Sequence, residues 1–270
     1  MSSLVNEVND KKLINFETNT LYKSYNSYND DKFKKIIMSI SCTGIKIDDE
    51  TINKIESNNT FYIVLDTSGS MSGNPIDICK KTIIFIINNL KNNDKICLIT
   101  FNSKVYETIE LTNINNENKK NIIEKINKIE CTNTTNLSGG LFKCFEILKN
   151  QEKNENIDKY SINNIILLTD GVMNEGITND DEFEYTLKKK IKELSYKPSI
   201  YTFGLNNNIN SQLLTKISNN GQFQNSEKED DIPKLIGGCI GGLKSCIGKN
   251  IELKLKLNEN IKILKIYDSK

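Results

Sequence analysis

The sequence predicts an α/β protein: a doubly wound, mostly parallel sheet with one antiparallel edge strand, flanked by a small β unit. Three observations carry this. From Thr60 onward, short wholly apolar runs alternate with stretches of helical period, the pattern of strands covered on both faces by crossover helices. One connection, Asn102-Ser103, is too short for any crossover, so the strands on either side of it form an antiparallel hairpin. Outside that stretch apolar and polar residues alternate singly, which marks strands with one wet face and hence a separate unit.

The elements follow in order. Residues 1–32, with SYNSYNDD near their end, are polar and aperiodic and read as a flexible N-terminal arm. Within 33–59, Ile36, Met38, Ile40 and Cys42 alternate with Lys35, Ser39 and Ser41, broken only by Ile37, which describes a half-buried strand of the flanking unit. The main domain, 60–248, opens with FYIVL (61–65), a run expected of a strand covered on both faces. Asn74 and Pro75 read as the N-cap and first position of a helix that carries Ile76, Cys79, Ile83, Ile87 and Leu90. ICLITF (96–101) is a second buried strand, and VYETIEL (105–111) alternates like the edge strand of the hairpin.

Ile122, Ile126 and Ile129 mark one helix, and Leu137, Leu141, Cys144 and Leu148 the next. Residues 165–168 form a strand, 183–194 a helix, 200–205 a strand, 213–217 a short helix and 222–224 a weak strand. Ile232, Ile236, Cys239, Leu243 and Cys246 close the domain with a helix, whose Gly237-Gly238 and Gly241-Gly242 pairs read as close helix packing. Residues 249–270 return to single alternation, Ile251, Leu253, Leu255 and Leu257 and then 261–267. They are expected to pair with the strand of 33–59, because an isolated hairpin is marginal.

Composition removes whole classes of chemistry. At 270 residues, 37% of them hydrophobic and 26% charged, the chain can bury a full core. Its 36 basic and 35 acidic residues leave a net charge of +1, too little to hold a polyanion, so nucleic acid is not an expected partner. No run approaches eighteen apolar residues and residues 1–12 lack an apolar signal core, so the expectation is a cytoplasmic protein with no membrane contact. There is no His, Trp, Arg or Ala. Without histidine the Ser-His-Asp and Cys-His nucleophile systems and the HExxH zinc site are excluded, and without arginine so are bidentate anion clamps. The seven cysteines are odd in number, contain no CxxC and mostly sit in apolar runs, so they read as buried reduced thiols. The sequons at Asn58, Asn133 and Asn136 match the abundance of asparagine, and the Lys188–Lys190 run reads as a solvated helix face.

One constellation remains. The first buried strand ends in VLDTSGSMSG (64–73), where Asp66, Ser68 and Ser70 place oxygen at every second position as the chain leaves the sheet. A turn eased by Gly69 can aim a carboxylate and two hydroxyls at one point. Two further oxygen groups stand at equivalent topological places: Thr135 in the loop CTNTTN before a helix, and Asp170 closing the strand IILLTDG. Hard oxygen donors of this kind suit Mg2+ or Mn2+.

With these residues in view the chain resembles the von Willebrand factor type A family, whose metal-ion-dependent adhesion site has the form DxSxS, then a Thr, then an Asp before Gly. Asp66, Ser68 and Ser70 match the first motif, Thr135 the loop threonine and Asp170 the last acid. The likeness runs from about Thr60 to about Gly248. Within the family it looks most like the type A domains of RING-associated ubiquitin ligases, through YTFGL (201–205), EDDIP (229–233) and CIGGL (239–243), but the chain has no RING. The family usually has glycines before the loop threonine, where this chain has Asn133 and Thr134; the following Asn136-Leu137 favours Thr135 over Thr134.

The resemblance implies a Rossmann-like sheet in which Ser68, Ser70 and Thr135 bind Mg2+ or Mn2+ directly while Asp66 and Asp170 act largely through water. It further implies a non-enzymatic adaptor or scaffold whose ion captures an Asp or Glu of a protein partner. The competing expectation is a magnesium-dependent hydrolase or phosphotransferase with Asp66 at the strand end; that chemistry wants a second acid two residues on, where Ser68 stands. The likeness of DTSGS to the DTG of aspartic proteases fails because Gly69 falls one place late and no second copy exists.

Overall fold

The computed structural model describes residues 7–8, 11–12, 14–20, 38–44, 59–91, 94–153, 162–205, 209–218, 221–225, 231–244 and the single residues 259, 263 and 265. In chain order the strands are β1 (Glu7–Val8), β2 (Lys11–Lys12), β3 (Ile14–Thr20), β4 (Met38–Gly44), β5 (Asn59–Asp66), β6 (Lys95–Phe101), β7 (Val105–Asn113), β8 (Ile162–Thr169), β9 (Ser199–Gly204) and β10 (Phe223–Asn225). The helices are α1 (Asn74–Asn89), α2 (Asn116–Asn127), α3 (Leu137–Glu152), α4 (Asp180–Lys192), α5 (Ser211–Ile217) and α6 (Ile232–Lys244).

Six strands form the main sheet in the order β10-β9-β8-β5-β6-β7, parallel throughout except for β7, which runs antiparallel to β6. The predicted hairpin is therefore present, and the fold is the doubly wound α/β class with helices on both faces. From β5 the chain moves to β6 on one side and returns to β8 on the other, so the order reverses between β5 and β8. The crevice outside the carboxyl ends of strands at such a point is where open α/β sheets bind ligands. Those ends are Asp66 and Thr169, next to Asp170.

The continuous apolar runs are explained by burial on both faces. In β5, Phe61, Ile63 and Leu65 pack with α1, α2 and α6, while Tyr62 and Val64 pack with α3, α4 and α5. Ring stacking of Phe142 on Phe183, with centroids 5.5 Å apart, joins α3 to α4. The small β unit is separate: β3 pairs antiparallel with β4 from Ile14 opposite Gly44 to Thr20 opposite Met38, and β1 pairs with β2.

Three sequence expectations change. Ile14–Thr20, inside the stretch read as an arm, is a strand, because Ile14, Phe16 and Thr18 alternate with Asn15, Glu17 and Asn19 once threonine is counted with the strand formers. Among the described residues β4 pairs with this strand; the strands of 251–257 and 261–267 expected to pair with β4 lie outside the described residues. Helix α1 begins one residue earlier than expected: Gly73, with φ of 84°, is the N-cap, and Asn74 and Pro75 already lie in the first turn. Among the described residues nothing packs closely on the glycine pairs of α6. A Cβ on Gly237 would touch only Phe85, at 3.8 Å, and at Gly238, Gly241 and Gly242 it would have no heavy atom within 4 Å among the described residues. They lie on the outer side of the helix, away from the core contacts of Ile236, Ile240 and Leu243.

Candidate metal centre

The first loop starts where β5 leaves the sheet. Thr67 donates both its amide (2.7 Å) and its hydroxyl (3.0 Å) to the Phe101 carbonyl, which ties the exit to the end of β6. Ser68 N donates to Asp66 Oδ1 at 2.9 Å, a local turn that folds the loop back over the carboxylate. A single 3₁₀ turn, Gly69–Met71, then places Ser70 Oγ 3.1 Å from Ser68 Oγ. Asp66 and Ser68 are buried, whereas Ser70 is exposed at the rim.

The second loop, between α2 and α3, is stitched to the first by two backbone bonds, Gly69 N to Asn133 O (3.0 Å) and Thr132 N to Thr67 O (2.9 Å). Asn133 has φ of 65°, the one non-glycine residue in the left-handed region among the described residues. Asparagine enters that region more easily than most side chains. Thr135 is buried at 2% exposure while Thr134 is exposed. Asn136 then caps α3 through its side-chain oxygen, which accepts from Gly139 N at 2.8 Å.

The third loop follows β8. Thr169 donates its hydroxyl to Asp66 Oδ2 at 2.6 Å and accepts from Gly171 N at 3.0 Å, so the two strand ends at the crevice are joined through one buried side chain. Asp170 Oδ1 accepts from Val172 N at 3.2 Å. Further along, Thr135 N donates to Asn174 Oδ1 at 2.6 Å, and the amides of Asn174 (3.3 Å) and Glu175 (3.2 Å) donate back to Thr135 O. Backbone and side-chain hydrogen bonds thus hold all three loops at one edge of the sheet, and all five residues singled out in the sequence lie on them.

The charge balance at this edge is unusual. Burial pushes the Asp66 carboxyl up to about 6, the neighbouring Asp170 charge pushes the same way, and hydrogen bonds from Thr169 and Ser68 oppose both. Among the described residues neither Asp66 nor Asp170 forms an ion pair with a lysine. Two buried acids without a counter-charge fit a cation. The donors are all oxygen, and the 3.1 Å between Ser68 Oγ and Ser70 Oγ matches neighbouring corners of an octahedron with metal–oxygen bonds of about 2.1 Å, whose edge is about 3.0 Å. Among the described residues no group of three or more Cys, Asp or Glu side chains is placed to hold a metal, so any site here depends on its hydroxyls.

Thr169 and Asn174 escape the sequence reading. The signal for Thr169 is a hydroxyl one place before an acid at a strand end; Asn174, in an asparagine-rich chain, carries none.

Comparison with known proteins places these features in a wider set. The model of the von Willebrand factor type A domain matches residues 61–237. Inter-alpha-trypsin inhibitor heavy chain H3 of Mus musculus is 25% identical over 201 residues, 72% of this chain and 22% of the heavy chain, so the chain spans less than a quarter of that relative's length. Among solved structures, the von Willebrand factor type A protein from Catenulispora acidiphila aligns with a TM-score of 0.60 at 15% identity, covering 82% of this chain and 47% of its own. Proximal thread matrix protein 1 from the mussel byssus, with a zinc-occupied MIDAS motif, aligns with a TM-score of 0.54 at 17% identity, covering 70% and 46%.

Proposed function

The chain belongs to the von Willebrand factor type A domain family, and from that membership we propose that it is a metal-dependent protein-binding module whose ion captures an acidic side chain of a partner. Domains of this family commonly mediate metal-dependent protein–protein interaction. The observation that carries the proposal is the pair of buried acids, Asp66 and Asp170, that pair with no lysine among the described residues and stand beside hydroxyls spaced for one small cation. In this reading Ser68, Ser70 and Thr135 hold Mg2+ or Mn2+ directly, and Asp66 and Asp170 hold its waters. Bound there, the ion supplies an incompletely neutralised positive charge that an outside carboxylate can complete.

The chain's own residues do the rest. Asp66 orients the first loop through Ser68 N, Thr169 locks Asp66, and the exposed rim position of Ser70 leaves the approach to the ion open from solvent. The module is non-enzymatic in this reading, and it is cytoplasmic: Cys79, Cys97, Cys131 and Cys144 carry free thiols, and glycans at Asn133 or Asn136 would cover the approach. Among the described residues no helix is long and apolar enough to cross a membrane. The phosphotransferase alternative is not favoured, since a serine occupies the place of the second acid.

Calorimetric titration of Mn2+ or Mg2+ into the wild type, Asp66→Ala and Ser70→Ala tests the site. Uptake by the wild type that both variants lose, with circular dichroism unchanged, is the expected result. Equal uptake by all three overturns it.

A further inference from the structure

The second and third loops meet through backbone bonds and through one exposed side chain, that of Asn174. Asn174 is exposed, so it adds nothing to the core, yet its side-chain oxygen accepts the Thr135 amide at 2.6 Å while its own amide returns a bond to Thr135 O at 3.3 Å. Glu175 N adds a second donor to the same carbonyl at 3.2 Å. Both backbone groups of Thr135 are therefore satisfied by the third loop. Thr135 lies just before the N-cap of α3 and has no helical partner for its amide, so that amide would be left buried and unpaired without Asn174.

The rest of this stretch presses down on the start of α3. Ile177 N donates to Ser138 Oγ at 2.9 Å, and Gly176, with φ of 72°, passes so close that a Cβ would overlap Ser138 Oγ and Asn136 Oδ1. The loop that begins at Asp170 is thus closed onto the loop that carries Thr135 at three successive places.

We propose that Asn174 is a positioning residue of the metal centre: by fixing the Thr135 peptide it makes the second and third loops one rigid unit, so that Thr135 and Asp170 are presented together. This rests on the metal-binding reading above. The physical reason is preorganisation. A threonine hydroxyl is a weak neutral ligand, and if binding had to order its loop first, the entropy lost would be subtracted from the affinity. Residues that orient metal ligands without touching the ion typically change affinity by about 10–100-fold when removed.

The test compares wild type, Asn174→Ala and Asn174→Asp by Mn2+ titration, and follows Thr135 amide hydrogen exchange by NMR in EDTA. The alanine variant is expected to bind Mn2+ at least about tenfold more weakly and to exchange the Thr135 amide at least about tenfold faster. The aspartate variant, which keeps an acceptor oxygen at the same reach, is expected to restore both. The exchange arm is metal-free, so attraction of the aspartate charge to Mn2+ cannot account for its rescue there. If Asn174→Ala does not fold, Asn174→Gln takes its place, because it keeps the amide but displaces it by one methylene. Wild type that binds Mn2+ together with an alanine variant that binds it equally overturns this inference and leaves the metal reading intact. Wild type that takes up no Mn2+ overturns both.

Discussion

The two ends of the central strands make an instructive contrast. At the amino ends the protein buries Asn59, Asn164 and Asp94; at the carboxyl ends it buries Asp66, Thr169 and Asp170. Asp94 has a backbone amide on each oxygen, Asn59 N at 3.1 Å and Lys91 N at 2.8 Å, and Asn164 Nδ2 donates to Ile162 O at 3.2 Å and Asn59 Oδ1 at 3.4 Å. That is one acid among neutral amides, a clamp that closes the turn into β6. At the carboxyl end Asp66 is equally buried and also hydrogen-bonded; burial pushes its carboxyl up to about 6, and a second acid, Asp170, adds to that rise. Burial of a carboxylate is common to both ends. The unmatched second charge belongs only to the end that the topology reserves for ligands.

The sharpest way to break the contrast is Asp66→Asn. Metal uptake is expected to fall by more than about a hundredfold, while the metal-free protein becomes more stable by about 1–2 kcal/mol at pH 7, since a buried charge is removed. The folded pKa lies above the unfolded 3.8, so the folded state holds the proton longer, and metal-free stability falls as pH rises from 3.8 to about 6 and then levels off. Urea melts in EDTA between pH 4 and 8 should show that slope in the wild type and not in the variant; a less stable variant at pH 7 would refute the charge argument.

At the opposite end, Asp94→Ala strands two backbone amides and is expected to destabilise by about 2–3 kcal/mol, equally with and without Mn2+. A metal-dependent loss would erase the distinction between clamp and site. The smallest effect belongs to Thr169→Val, which keeps the shape but removes the donor to Asp66 and the acceptor for Gly171 N. Mn2+ affinity is expected to drop about tenfold with a stability change of about 1 kcal/mol, readable by titration and thermal melting.

Much of this was legible along the chain because its signals are local. An apolar run such as 61–65 declares a strand covered on both faces, a connection as short as 102–104 forces a hairpin, and DTSGS announces a cluster of oxygen groups at a strand end. Elements whose signal is diluted were harder. β3 alternates with threonine and asparagine and looks like coil until it is paired with β4. The glycines of α6 look like packing sites until the helix is seen with their side facing away from the core.

The amino-acid order by itself determined the succession of strands and helices, the oxygen-only character of the candidate ligands and the absence of histidine or arginine chemistry, because periodicity and residue type need no partner to be read. Tertiary structure alone decided that Thr169 reaches Asp66 across 103 residues and that Asn174 reaches Thr135 across 39, and it buries Thr135, the threonine that the sequence already favoured over Thr134. It also decided that two acids share the edge with no lysine among the described residues paired to them. These are matters of distance and dielectric between loops that parallel strand register brings together, and spacing along the chain does not encode them.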